Sequence, residues 1–329
     1  MTTTMKSGRT ARPGWWWKAA WTVAAGLALV VIMRFLWHDG LWPLLLANVL
    51  TPYLFVAAWP VAIAAAARRR WRLLAVATAS VLFHTRATLI PLLPRTPPPA
   101  TGRSLRFVSA NLLTDNRIPS ALVDELVALD ADVYFLQELS TRFDEDLERR
   151  GFWAHHPYHR RVVREDSFGS AIASRLPLRD LQVFSLTELP EMRAVLSFEG
   201  RDVDVLNVHL MPPRNAGYVP LYRAGTAAVM DLVRGLAGRS FILAGDFNAT
   251  PDSAFLAGMR KMADDSWELA GRGFGATWPN GQVPMPPIRL DHVFLSRDLT
   301  AGAISVGVGA GSDHRPLIAT VARRAPSAE

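Results

Sequence analysis

The chain opens with three long apolar runs, and the remainder alternates short apolar runs with polar ones. The long runs occupy residues 19–37, 41–67 and 73–93. Each approaches or exceeds the roughly 20 residues that a helix needs to cross a bilayer. The pattern therefore predicts a membrane anchor of three transmembrane helices, the second of them kinked by its prolines.

Two other interpretations of the first run fit the pattern less well. A cleaved signal peptide would precede a processed secretory chain, yet two more long apolar runs follow. Helices buried in a soluble core are disfavoured because tryptophans stand at the ends of the runs, at 15–17, 37, 42 and 71. Membrane proteins place such aromatic belts at the interface.

Basic residues beside the runs predict how the anchor is oriented. The first loop, residues 38–40, has neither Lys nor Arg. Lys and Arg collect in cytoplasmic loops, so an odd number of spans would deliver everything after about residue 94 to the outside. Arg34 lies near the end of the first run, and His84 and Arg86 lie inside the third. Charge inside a membrane can mark function, but the long arginine side chains are expected to extend toward the outer interface. The residues that set the orientation are Lys6, Arg9, Arg12 and Lys18 before the first run, and Arg68, Arg69, Arg70 and Arg72 between the second and third.

Composition restricts the chemistry that is available. The 329 residues include no cysteine, so disulfides and thiolate metal sites are excluded and any metal must be held by oxygen or imidazole. The formal net charge is +7, but part of it is the basic residues that set the orientation of the anchor. The charge is therefore no argument for a nucleic-acid partner.

Residues 94–103 are rich in proline and predict a stiff linker. After it, from residue 104 to 329, apolar runs of strand length alternate with helical patterns, which predicts a layered α/β domain. Strands are predicted at 105–111, 132–136, 170–174, 194–198, 203–210, 241–245, 289–295 and 317–321, and helices at 120–129, 142–149 and 219–236.

Several predicted strands end in the same kind of polar residue. In layered α/β proteins such strand ends converge on one pocket. Taken singly, each residue also suits a turn, a helix cap or a satisfied core histidine, but together they predict one site. The residues are Asn111, Glu138, His209, Asp246 with Asn248, Asp291, and Asp313 with His314.

This set of side chains suits metal-assisted hydrolysis of a phosphate ester. Glu138 is a hard oxygen ligand for Mg²⁺ or Mn²⁺. A carboxylate–imidazole pair drawn from Asp291 and His314 could orient the imidazole, and Asp246 could position or deprotonate a water. The amide side chains could hold anionic oxygens.

The same stretches resemble a known family. The segments SAN, LQE, GSAIASRLP, NVHL, GDFNAT, RLDHVF and SDHRPL stand in the order typical of the endonuclease/exonuclease/phosphatase superfamily, over about residues 104–322. The resemblance implies its fold, a four-layered α/β sandwich of the DNase I type, here preceded by three transmembrane helices.

The resemblance also implies a role for each residue at the strand ends. His314 would act on the phosphoryl group, and Asp291 would orient it. Asp246 would align the attacking water. Metal binding would fall to Glu138 with Asn111 and Asp313 close by, and phosphate contacts to Asn248, Asn111 and His209.

Two departures narrow the choice of branch. Apurinic-site endonucleases of the superfamily tend to have tyrosine where this chain has His209, and an acid where it has Leu113. The chain looks more like the branch that holds sphingomyelinases, inositol-phosphate phosphatases and secreted nucleases. Its anchor followed by an outward domain resembles bacterial membrane members, including VanJ-type proteins associated with teicoplanin resistance.

The sequence therefore predicts a multi-pass protein of the cytoplasmic membrane with an outward, Mg²⁺-dependent phosphoesterase. Its expected partners are the bilayer and a phospholipid or lipid-linked envelope phosphate, with nucleic acid disfavoured. Two alternatives stay open, an extracytoplasmic nuclease and a non-catalytic binding or sensing protein of the envelope.

Overall fold

The computed structural model describes residues 14–186, 189–281 and 283–326. The chain forms two compact units, residues 1–90 and residues 91–329. Lys6, Arg9 and Arg12, on which part of the predicted orientation rests, lie outside the described residues.

The first unit is helical. Two of its helices, Trp15–Trp37 and Trp71–Leu92, are each long and apolar enough to cross a membrane. A third crossing exists only if Trp42–Val49 and Thr51–Ala67 form one span, and these two are bent by 71°. The bend falls just before Pro52, which sits in the first helical turn after the break. The α-helices are α1 Trp15–Trp37, α2 Trp42–Val49, α3 Thr51–Leu54, α4 Ala58–Ala67 and α5 Trp71–His84. Short 3₁₀ and π turns join α3 to α4 at Phe55–Ala57 and extend α5 to Leu92.

Polar side chains are buried at this bend. Arg34 is 9% exposed, and its Nη1 donates a 2.8 Å hydrogen bond to Thr51 Oγ1. His84 accepts a bond from Trp59 Nε1 at 3.0 Å, and its Nε2 lies 3.1 Å from the carbonyl oxygen of Pro52. The guanidinium of Arg34 therefore has a partner inside the unit, and its expected extension toward the outer interface stays a prediction.

The second unit is built on two six-stranded sheets. The first has the strand order β11-β12-β1-β2-β4-β3, and the second has β5-β6-β7-β8-β10-β9. The strands are β1 Ala100–Asn111, β2 Val133–Gln137, β3 Tyr158–Val162, β4 Ser170–Ser174, β5 Leu178–Phe184, β6 Glu191–Phe198, β7 Arg201–His209, β8 Ser240–Asp246, β9 Asp264–Asp265, β10 Asp291–Leu295, β11 Leu299–Val306 and β12 Leu317–Arg324.

The two sheets pack face to face, and helices cover their outer faces. Between the sheets lies an apolar core to which Phe107, Phe135, Val205 and Ile242 contribute. The outer face of the first sheet packs its own apolar cluster against α6 to α8. The helices are α6 Pro119–Leu129, α7 Thr141–Arg149, α8 Phe152–His155, α9 Val219–Gly235, α10 Ala254–Met259 and α11 Ser266–Ala270. The expected α/β sandwich is confirmed.

The sequence misplaced the boundary between the linker and the domain, and it missed the outermost strand on each side of both sheets. Residues 100–103, assigned to the linker, belong to β1, because Ala100 and Thr101 pair with Arg324 and Arg323 of β12. The strands β3, β5, β9 and β11 were not predicted, and each is an edge strand of its sheet.

Candidate active site

Strand direction explains why the predicted polar residues meet. β1 runs parallel to β2, and β7 runs parallel to β8, so the C-terminal ends of each pair lie side by side. β12 is antiparallel to β1 and β10 is antiparallel to β8, so these two strands begin where β1 and β8 end. Because β1 packs against β8 and β2 against β7, these strand ends from both sheets form one surface.

Asp246 stands at the centre of this surface. Its Oδ2 accepts a hydrogen bond from Asn111 Nδ2 at 3.1 Å. The same oxygen lies 3.6 Å from Nε2 of His209 and 3.6 Å from Nε2 of His314. The structure therefore joins four of the predicted residues, which come from four different segments, around one oxygen. Burial raises the pKa of Asp246, and the neighbouring Asp291 raises it further, against the lowering effect of His314.

The residue before Asp246 has to be glycine. Gly245 has a φ of +144°, and a Cβ there would lie 1.8 Å from the carbonyl oxygen of Val208. A side chain would push β7 and β8 apart where His209 and Asp246 pair across them. The Gly-Asp sequence thus reflects a close approach of two backbones.

His314 is oriented by Asp291. Its Nδ1 lies 2.8 Å from Asp291 Oδ2, and both side chains are buried. Burial by itself would lower the pKa of His314, but the carboxylates of Asp291 and Asp246 outweigh it and raise the pKa to about 10. At neutral pH the imidazole is therefore protonated, with Nδ1–H donated to Asp291 and Nε2 facing Asp246.

Glu138 follows β2 and adjoins the same centre. Its Oε1 accepts a hydrogen bond from Asn111 Nδ2 at 3.2 Å, and its Oε2 accepts from the amide of Thr114 at 3.0 Å and from its hydroxyl at 3.1 Å. Burial opposes ionisation of Glu138, but His209 and the bonds from Thr114 and Asn111 prevail and lower its pKa. The carboxyl is therefore ionised at neutral pH.

Asn248 and His209 line the end of β7 and the turn after β8. Asn248 has a left-handed φ of +49°, its amide donates to Asp246 Oδ1 at 2.9 Å, and its Nδ2 donates to the carbonyl of Leu210 at 2.8 Å. Nδ1 of His209 is buried, and it has no hydrogen-bond partner among the described residues. The ring of Phe168 lies 5.9 Å from that of His209.

Asp313 is tied to the loop before β10. Its Oδ2 accepts a 2.9 Å hydrogen bond from Nε1 of Trp278, and its charge contributes to raising the pKa of His314. The structure thus places Asp313 near His314, while its direct hydrogen bond is to the indole of Trp278.

The donor set fits a divalent cation. The atoms of Asp246, Asp291 and His314 that could bind a metal lie within 4.8 Å of one another. A protonated His314 cannot bind a cation, so at neutral pH the two carboxylates are the donors of this group. Oδ1 of Asp291 is buried without a hydrogen-bond partner among the described residues. An ionised Glu138 adds a second source of hard oxygen close by.

Sequence reasoning missed several residues that support this set. Thr114 holds Glu138, and Ser312 Oγ donates to the carbonyl of Asn111 at 2.8 Å while accepting the amide of His314 at 3.0 Å. Asn207 joins the sheets, because its Oδ1 accepts from Gln137 Nε2 at 2.6 Å and its Nδ2 donates to Leu136 O at 2.8 Å. Its position inside the predicted segment NVH was the available signal.

Comparison with known proteins identifies the family of the second unit. The model of the Endonuclease/Exonuclease/phosphatase family matches residues 108–314, a range that contains every predicted site residue. No curated protein matches the chain by sequence.

Solved structures of low sequence identity share the fold of the second unit. TDP2 from D. rerio, complexed with a single-strand DNA product, is 20% identical with a TM-score of 0.56, over 67% of this chain and 99% of that one. An endonuclease/exonuclease/phosphatase from Bacteroides vulgatus is 16% identical with a TM-score of 0.55, over 68% and 100%. One from Beutenbergia cavernae is 21% identical with a TM-score of 0.53, over 69% and 74%.

Proposed function

Because the chain belongs to the endonuclease/exonuclease/phosphatase family, we propose that it is a membrane-anchored, divalent-metal-dependent phosphoesterase. It acts at the outer face of the cytoplasmic membrane on a phospholipid or a lipid-linked envelope phosphate. A contribution to glycopeptide resistance, as in the VanJ-type proteins that it resembles, belongs to the same proposal.

The observation that carries the proposal is the line of contacts from Asp291 through His314 to Asp246. A protonated His314 between two carboxylates stabilises negative charge that grows on a phosphoryl group and can give its Nε2 proton to the leaving oxygen. Asp246 then aligns the attacking water and takes up its proton, as the new phosphorus–oxygen bond forms and the ester bond breaks.

The remaining residues of the site bind the phosphate group and the cation. Asn248, His209 and Asn111 contact the phosphate oxygens, which agrees with their position around Asp246. Glu138 holds the cation, Mg²⁺ with Mn²⁺ as a substitute, and Asn111 and Asp313 complete the site. When bound, the cation neutralises charge on the phosphoryl oxygens.

The anchor supports the choice of a lipid substrate. The two long apolar helices and the bent pair fit membrane spans, and the basic residues 68–70 suit a cytoplasmic loop. With three crossings the phosphoesterase unit is outside. Tethering restricts it to the membrane surface and raises the effective concentration of lipid phosphates there.

Single-stranded DNA is the second candidate substrate. The D. rerio neighbour is complexed with a single-strand DNA product, and the same phosphoester chemistry serves lipid and nucleic acid. The two differ in what binds beside the phosphate, and DNA binding would weaken steeply with salt.

One substrate panel tests the proposal. The full chain in mixed micelles is given a phospholipid phosphate, a polyprenyl diphosphate and single-stranded DNA, each with and without Mg²⁺. Metal-dependent turnover of a lipid phosphate is expected. Cleavage of DNA alone would replace the lipid assignment with a nuclease, and no turnover of any substrate by folded protein would favour a binding role.

A further inference from the structure

A second buried histidine–carboxylate pair lies behind the catalytic turn. His292 is fully buried, its Nδ1 lies 3.0 Å from Asp265 Oδ2, and its Nε2 lies 2.8 Å from the carbonyl oxygen of Ala249. The mechanism proposed above does not use it. Nevertheless, Ala249 follows Asn248 directly in the turn that leaves Asp246.

The partners of Asp265 fix its charge. Arg289 Nη1 donates to both carboxylate oxygens, at 2.9 and 2.8 Å, and the amide of Trp267 donates to Oδ1 at 2.8 Å. A carboxylate that accepts three such bonds is ionised and can only accept. Although burial opposes ionisation of Asp265, Arg289 and His292 lower its pKa.

Both ring nitrogens of His292 therefore face acceptors. A peptide carbonyl has no proton to give, so Nε2 of His292 must be the donor to Ala249. The ring thus links Asp265 on one side to the Ala249 carbonyl on the other. Arg289 in turn holds the Asp265 carboxylate in place.

His292 is next to Asp291 on β10, which connects it to the candidate active site. Successive residues of a strand face opposite sides of the sheet, so Asp291 orients His314 on one side while His292 lies on the other. There its ring stacks on Phe294 at 5.4 Å and meets the edge of Phe247 at 6.0 Å. One strand thus supports the site from both sides.

We propose that His292 is a positioning residue for the phosphoesterase reaction. Held by Asp265 and Arg289, it fixes the carbonyl of Ala249, and through it the orientation of Asp246 and Asn248 toward the phosphoryl group. The kinetic part of this inference rests on the proposed function, whereas the structural part does not.

The kinetic test compares His292→Phe with His292→Gln in the full chain. Phenylalanine keeps a planar ring but has no donor, whereas glutamine keeps one amide donor of similar reach. We expect His292→Phe to lower kcat about 10- to 100-fold, as for a displaced catalytic group, with a smaller change in KM. His292→Gln should recover part of the loss.

The matched control is Phe255→Leu in the same aromatic cluster. Phe255 packs 5.6 Å from Phe247 and 6.3 Å from Phe294, so its truncation loosens the cluster without removing the bond to Ala249. The two variants are compared at equal folded fraction. If His292→Phe loses no more kcat than Phe255→Leu, His292 only packs in the core and has no positioning role.

A readout without substrate separates this inference from the proposed function. In wild type, nitrogen NMR should show a proton on Nε2 of His292, the nitrogen that faces the Ala249 carbonyl. Amide hydrogen exchange at residues 247–250 should accelerate in His292→Phe and not in Phe255→Leu. An Nε2 without a proton, or unchanged exchange in the turn, would overturn the positioning role even if the enzyme is active. Both signatures would remain if no phosphoesterase activity is found.

Discussion

At the scale of single residues, the charges of the candidate site depend on partners from other parts of the chain. The buried carboxylates of Asp291 and Asp246 raise the pKa of His314. Hydrogen bonds from Thr114 and Asn111 help to lower the pKa of Glu138. Most of these partners belong to the sequence motifs, but Thr114 does not.

Thr114 offers a test of that support. Its hydroxyl donates to Glu138 Oε2 at 3.1 Å, and loss of such a supporting bond typically weakens metal binding about 10- to 100-fold. Thr114→Val should therefore raise the Mg²⁺ concentration needed for half-maximal activity by about that factor. Thr114→Ser, which keeps the hydroxyl, should stay near wild type, and equal values for both variants would exclude a role for the hydroxyl.

Glu191 predicts a pH dependence of stability. Burial raises its pKa from 4.5 to about 7, partly countered by the amide of Leu186, which donates to its Oε2 at 2.9 Å. Between pH 4.5 and about 7 the folded chain keeps the Glu191 proton, whereas the unfolded chain has lost it. The contribution of protonated Glu191 to the free energy of unfolding is therefore complete below pH 4.5 and is lost as pH rises through 7. At about 1.4 kcal/mol per pKa unit, the loss amounts to roughly 3 kcal/mol.

Unfolding of wild type and Glu191→Gln, measured between pH 4.5 and 8, checks this sign. The difference in unfolding free energy should move in favour of the glutamine variant as pH rises. Parallel curves would mean that Glu191 titrates normally.

The sequence named the candidate site residues but not all of their hydrogen-bond partners. Asp246, Asp291 and His314 could be named because strand ends are visible as the limits of apolar runs. Thr114 and Ser312 look like ordinary loop residues, and their bonds join positions that are brought together by strand pairing within the first sheet. The same holds for His292, whose partner Asp265 belongs to a separate edge strand.

At the scale of elements, central strands were predictable and edge strands were not. All residues of β2 and β4 are buried, so their sequences read as continuous apolar runs. β3 and β5 contain no fully buried residue and carry arginines or aspartate. Edge strands of this kind are typically blunted by charge, which removes the signal on which strand prediction depends.

The arginines in and just after β3 illustrate how charge covers an edge strand. Arg161 pairs with Asp144 at 2.7 Å and lies over the ring of Trp153, and Arg164 pairs with Asp166. These arginines are satisfied by neighbouring carboxylates, which fits an ion-paired surface strand.

Gly245 tests the close approach of β7 and β8. Gly245→Ala should destabilise the fold by several kcal/mol, since its Cβ would meet the Val208 carbonyl oxygen at 1.8 Å. Gly235→Ala is the control, because a Cβ at that helical position has nothing within 4 Å, and it should be neutral or stabilising by up to about 1 kcal/mol. Thermal unfolding compares them, and equal melting temperatures would contradict the close approach.

At the scale of the whole molecule, the proposal depends on the side of the membrane that the second unit occupies. The absence of cysteine from the sequence makes the chain a ready background for labelling. Ser305 and Ala67 are exposed in their own units. In intact cells a membrane-impermeant maleimide should label Ser305→Cys, and it should label Ala67→Cys only after permeabilisation. The reverse pattern would place the second unit in the cytoplasm.

The central claim, that the buried Asp291–His314–Asp246 group hydrolyses phosphate esters with a divalent cation, has one direct test. Phosphate release from a lipid phosphate in mixed micelles is measured with Mg²⁺ and with chelator, for wild type and for folded His314→Asn. The account predicts metal-dependent release that falls at least about 100-fold in the variant. Equal rates for the two proteins, or full activity in chelator, would contradict it.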